Sequence, residues 1–138
     1  MEILDLKGNE LNPNIYLNHL ESKFIISGES RPENPKKYYE SVFKWFEDYF
    51  NYIFVLNDLA NTKASKNLVL TIDLDYFNST SAKVLFDLLT LLKTVGKDKY
   101  RILFEVDWVY HPEDSDMLDA GREIEALCGL PFNYKTKV

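Results

Sequence analysis

Leu68-Val69-Leu70-Thr71-Ile72-Asp73-Leu74 is a nearly continuous apolar run, and after Asp75-Tyr76-Phe77 comes Asn78-Ser79-Thr80-Ser81. A run of this kind reads as a central strand, and such strands are usually covered on both faces. The polar tetrad then opens a helix. Leu85, Leu88, Leu89 and Leu92 fall at helical spacing, Val84, Leu91 and Val95 widen the stripe, and Phe86 adds apolar surface on another side. This helix is expected to end near Gly96 and to be deeply buried or to share a face with a partner.

The other segments fit around that strand–helix unit. Asn14–Leu17 and Lys23–Ser27 are short β-branched runs that suggest an early antiparallel hairpin. Gly28, Pro32 and Pro35 break regular structure, after which Asn34 suits a helix cap and Pro35 its first position. The spacing of Tyr39, Val42, Phe43, Phe46, Phe50 and Ile53 predicts a helix over Pro35–Phe54. Tyr38, Trp45, Tyr49 and Tyr52 lie largely off that stripe. They point either to a helix held between sheet and loops or to an aromatic surface for a partner. Arg101–Tyr110 reads as a strand, and Pro112-Glu113-Asp114-Ser115-Asp116 as an acidic helix start. Gly129 and Pro131 stop that helix, and Phe132–Thr136 forms a last short strand. The expected fold is α/β, one domain over residues 1–138, in the order β-β-α-β-α-β-α-β. Right-handed crossovers give it a mixed, mostly parallel sheet with packed helices.

Charge narrows the functional classes. A net charge of -6 argues against nucleic acid and anionic membrane as partners, and Lys36-Lys37 is the densest basic pair. The single cysteine, Cys128, sits among apolar residues and permits neither an intrachain disulfide nor a zinc cluster. No signal-peptide pattern opens the chain and no apolar run approaches the roughly 20 residues that span a bilayer. A cytoplasmic protein without cofactor is expected. Neither His19 nor His111 has a nucleophile motif beside it, and the five glycines form no phosphate-cradling loop.

The tetrad carries the functional weight. Asn78 or Ser79 can cap the helix, but a cap does not need three hydroxyl residues in a row. A phosphoryl group here would meet free backbone N–H groups and the positive helix end. It would add about 1.5 to 2 negative charges, enough to weaken a partner docked over the helix start. Lys83, one turn on, could steady the phosphate or pair with an acidic partner.

Three blocks resemble the SiaC family of bacterial regulatory phosphoproteins. They are Ile26-Ser27-Gly28-Glu29-Ser30-Arg31-Pro32-Glu33-Asn34-Pro35, then Tyr76-Phe77-Asn78-Ser79-Thr80-Ser81-Ala82-Lys83, then Trp108-Val109-Tyr110 with Asp114-Ser115-Asp116-Met117 and Ala120-Gly121. The second block is also similar to the phosphorylated turn of anti-sigma-factor-antagonist (STAS) domains, which implies a STAS-like fold. The resemblance implies a partner switch in which a serine/threonine kinase modifies the small protein and a PP2C-type phosphatase reverses it. The unmodified form then binds a downstream target, which within the family can be a diguanylate cyclase, linking the switch to cyclic-di-GMP and surface attachment. It puts the phosphosite at Ser79, where relatives often carry Thr, and leaves Thr80 as the alternative acceptor. Arg31, Glu33, Asn34, Asn78, Ser81 and Lys83 are the expected docking residues around it.

Two rivals come from other classes. A magnesium-dependent phosphatase would use Asp73 and Asp75, with Asp114 and Asp116 as further ligands. Tyr76-Phe77-Asn78 is too bulky for the turn such enzymes need, so a non-enzymatic protein is expected. A constitutive binding domain or a homodimeric scaffold, with the hydroxyls only as caps, stays open.

Overall fold

The computed structural model describes residues 1–63 and 65–138. Its strands are β1 (Leu4–Leu6), β2 (Asn14–Asn18), β3 (Lys23–Ser30), β4 (Lys66–Phe77), β5 (Ile102–Tyr110) and β6 (Phe132–Thr136). Its helices are α1 (Pro35–Tyr38), α2 (Glu40–Leu59), α3 (Ser79–Leu91) and α4 (Ser115–Cys128). The six strands make one sheet in sequence order. β1, β2 and β3 pair antiparallel, whereas β4, β5 and β6 each join the preceding strand in parallel. The mixed, mostly parallel sheet is therefore as expected, with β1 as an addition. Three residues are too few to show a period, yet Leu4 lies opposite Leu17 and Leu6 opposite Ile15.

One expectation needs correction. The apolar run in β4 suggests cover on both faces, but the sheet is covered on one. Leu68, Leu70, Ile72 and Leu74 are buried, while Val69, Thr71 and Asp73 between them are only half-buried. The cause is topological. Parallel strands added one after another in the same direction, each through a right-handed crossover, put every connecting helix on the same side. Ile102, Phe104, Val106 and Trp108 of β5 point into the same core. Each such side chain contributes about 1.5–3 kcal/mol when fully buried.

The expected Pro35–Phe54 helix is two helices joined at Tyr39, and it runs on to Leu59. Trp45 and Tyr49, off the expected stripe, are buried as well and stack with ring centres 5.2 Å apart. The Trp45 indole N–H donates to the Glu2 carbonyl at 2.8 Å, and the Tyr38 hydroxyl donates to the Pro13 carbonyl at 2.7 Å. The surplus aromatics are therefore largely packing. The exposed apolar side chains of α2 are instead Phe54, Val55, Leu56 and Leu59, at its far end.

α3 does not stop near Gly96 but continues as a π-helical segment, Leu92–Lys99. Gly96 is buried within it, where a Cβ would lie 3.1 Å from the Phe50 ring. The segment ends where Arg101 takes φ 60°. No helix among the described residues is long and apolar enough to cross a membrane.

Candidate functional site

The end of β4 feeds directly into α3, and Asn78 makes the corner. Its backbone N–H donates to the Ser30 carbonyl at 3.2 Å, which pins it to the end of β3. Its side-chain Oδ1 accepts from the Ser81 N–H at 2.9 Å and from the Thr80 hydroxyl at 3.1 Å. Asn78 is thus the cap, and its backbone is extended (φ -87°, ψ 174°), as a cap requires. Replacing Asn78 with Ala is expected to cost about 1 kcal/mol in urea unfolding, and Asn78→Ser should recover most of it.

The three hydroxyls have three different surroundings. Ser79 is exposed and its hydroxyl makes no hydrogen bond among the described residues. Thr80 is exposed too, but its hydroxyl is spent on Asn78. Ser81 is 0% exposed and accepts a hydrogen bond from Ser30 Oγ at 2.9 Å. Ser30 Oγ in turn lies 2.8 Å from the Tyr39 hydroxyl. The expectation that Ser81 helps to form a docking surface is therefore corrected: its side chain is inside the protein, tying α3 to β3 and to the α1–α2 joint.

A groove of about 720 Å³ runs between the α1–α2 corner and α3. Pro35, Phe43 and Val84 give it an apolar lining. Asn34 and Thr80 lie on its walls, and Lys36, Lys37 and Lys83 bring the positive charges. Asn34 also caps α1, accepting from the Lys37 N–H at 3.1 Å. Lys83 is paired with Asp87 at 2.6 Å. The structure thus gathers Asn34, Thr80 and Lys83 at one groove. Arg31 does not line it; its guanidinium pairs with Glu29 at 3.1 Å. Glu33 sits in a neighbouring depression that shares Asn34 and Lys37. Lys36, Lys37, Phe43 and Val84 also line this groove, a placement that sequence reasoning missed. Only the density of the basic pair hints at the first two.

Three of the four carboxylates of the rival phosphatase reading, Asp73, Asp75 and Asp114, are engaged elsewhere. The Lys137 ammonium bonds to both Asp73 and Asp75, the latter at 2.7 Å, and His111 Nε2 lies 3.4 Å from Asp75. Hydrogen bonding from Lys137 holds the Asp75 carboxyl below its ordinary range, although burial opposes this. Asp114 caps α4 by accepting from the Met117 N–H at 3.0 Å. These groups fasten the chain's last residues and a helix start.

A family model described as SiaC family regulatory phosphoprotein matches residues 6–137. A protein of Pseudomonas aeruginosa strain UCBPP-PA14 is 24% identical over 132 residues, which is 96% of this chain and 94% of that protein. SiaC of Pseudomonas aeruginosa superposes with a TM-score of 0.74 at 20% identity, over 99% of this chain and 100% of that one. A chain in the crystal structure of the diguanylate cyclase SiaD in complex with its activator SiaC, from the same organism, gives a TM-score of 0.77 at 22% identity. There the match covers 97% of this chain and 99% of that chain. At these identities the structural likeness is one of fold.

Proposed function

This chain belongs to the SiaC family of regulatory phosphoproteins, not to an enzyme family, and on that premise we propose that it is the binding element of a cytoplasmic partner switch. In its unmodified form it binds and activates a diguanylate cyclase, the part that SiaC plays as activator in its complex with SiaD. A serine/threonine kinase phosphorylates Ser79 and so releases the cyclase, and a PP2C-type phosphatase restores binding.

The observation that carries this reading is the asymmetry of the hydroxyls at the start of α3. Ser79 alone is exposed with its hydroxyl free, whereas Thr80 is committed to the cap and Ser81 is buried. A phosphate on Ser79 would meet the unpaired N–H groups of the first helical turn and the positive end of the helix dipole. The fold therefore tolerates it. A partner lying over the turn would not, because it would face about 1.5 to 2 added negative charges.

Two measurements test this. Fragment mass spectrometry of the protein from its own cells should find a phosphatase-sensitive phosphate on Ser79, absent from Ser79→Ala. Fully phosphorylated protein should bind the cyclase about tenfold or more weakly than the unmodified form, a loss of about 1.4 kcal/mol. Equal affinity of the two forms would instead favour the constitutive binding domain.

A further inference from the structure

We propose that the groove between the α1–α2 corner and α3 receives an acidic, amphipathic segment of the cyclase; this rests on the functional reading above and names the chemistry of the partner it requires.

Shape and sign both favour such a segment. The apolar lining of Pro35, Phe43 and Val84 lies between two helical walls, the arrangement that takes apolar anchors of a partner segment. The charge beside that lining runs against the rest of the protein. The chain carries a net -6. The groove's Lys36, Lys37 and Lys83 outnumber its Glu40 and Asp87 by one. Lys83 and Asp87 neutralise each other at 2.6 Å. Lys36 and Lys37 are exposed, and neither ammonium is ion-paired among the described residues. With Glu40 set against them, Lys36 and Lys37 still leave one net positive charge beside an apolar groove on an acidic protein. Their two ammoniums, free of ion pairs among the described residues, fit carboxylates at the rim of the incoming segment. A second copy of this chain, bearing the same -6, is a poorer match by long-range charge.

The same arrangement gives the phosphate its leverage. Thr80 lies on the groove wall, next to Ser79, so a phosphate at the turn adds negative charge where the acidic segment arrives. It also competes with that segment for the lysines. Charged groups at the rim act mainly through association rate and salt dependence. Binding should therefore weaken steeply as salt rises.

The test uses the full-length chain and the diguanylate cyclase of the same cells that binds the wild type. Lys36→Glu/Lys37→Glu should weaken cyclase binding by about tenfold or more and flatten its salt dependence. Lys97→Glu/Lys99→Glu, exposed and with the same change in net charge, should stay within about twofold of wild type. Wild-type-like binding by the groove variant would overturn the inference while leaving the switch intact. So would a groove variant that loses self-association in sedimentation but keeps the cyclase, because the occupant would then be a second copy. If the wild-type chain binds no diguanylate cyclase at all, the functional reading falls and this inference falls with it.

Discussion

Trp108→Ala is expected to cost about 3–5 kcal/mol in urea unfolding, the range for deleting a large buried aromatic. The indole is 1% exposed and central to the β4–β5–α4 side of the core. It stacks on Phe132 at 5.7 Å, meets the Phe77 ring edge-on at 5.9 Å, and donates its N–H to the Met117 carbonyl at 3.0 Å. Gly121 is the other half of this contact. A Cβ there would lie 2.6 Å from the indole nitrogen, closer than side chains tolerate, so α4 can approach β5 only because position 121 lacks one. Gly121→Ala gains about 1 kcal/mol of helix propensity but loses about 1–3 kcal/mol to overpacking. The diagnostic is coupling between the two sites. In a Trp108→Leu background, Gly121→Ala should become neutral or stabilising. If its cost were unchanged there, the close approach would not be its cause. Phe77 immediately precedes the Asn78 corner, so loosening Trp108 also loosens the base of the candidate phosphorylation turn.

How much of this is legible in the sequence differs from residue to residue. The corner at Asn78 can be read because a cap acts within three residues, and Asn34 can be read for the same reason. β6 runs Phe132–Thr136, as the turn signals at Gly129 and Pro131 predict. Coverage of β4 cannot be read, because the side on which helices land depends on strand order rather than on the strand's own residues. Nor can the division of labour among Ser79, Thr80 and Ser81. Three adjacent hydroxyls look alike in sequence, and what separates them is Ser30, 51 residues earlier, which claims Ser81. The surplus of hydroxyls that points to phosphorylation is partly structural: one braces the cap, one is buried, and one is left free. Lys36 and Lys37 come to line a groove only when α3 is brought up against them, again a long-range event.

The buried chain of hydroxyls supplies the second large effect. Tyr39, Ser30 and Ser81 are each 0% exposed and linked in series, 2.8 Å and then 2.9 Å apart. Ser30→Ala takes out the middle link and strips both neighbours of that bond at once. It is expected to cost about 1–3 kcal/mol for each hydroxyl left unpaired. Tyr39→Phe removes an end instead and leaves Ser30 bonded to Ser81, so it should cost clearly less. The double variant should be less destabilised than the two losses added together, because replacing both partners removes the orphan as well as the bond. Alkaline unfolding offers an independent check. Burial pushes the Tyr39 phenol far above its ordinary value and that of Tyr49 up to about 12. Groups raised in the folded state leave stability intact below about pH 10 and withdraw it as pH climbs further, since the unfolded chain ionises first. Tyr39→Phe should therefore flatten the loss of stability above pH 10, and an unchanged alkaline limb would place Tyr39 outside the unit that unfolds. Hydrogen exchange should then show whether the chain of hydroxyls holds the site together. If it does, Ser30→Ala will speed exchange of the Ser81 N–H, which Asn78 protects at the start of α3, before it affects β5. The two walls of the groove, Thr80 on one side and the α1–α2 corner on the other, are joined by this line of buried oxygens.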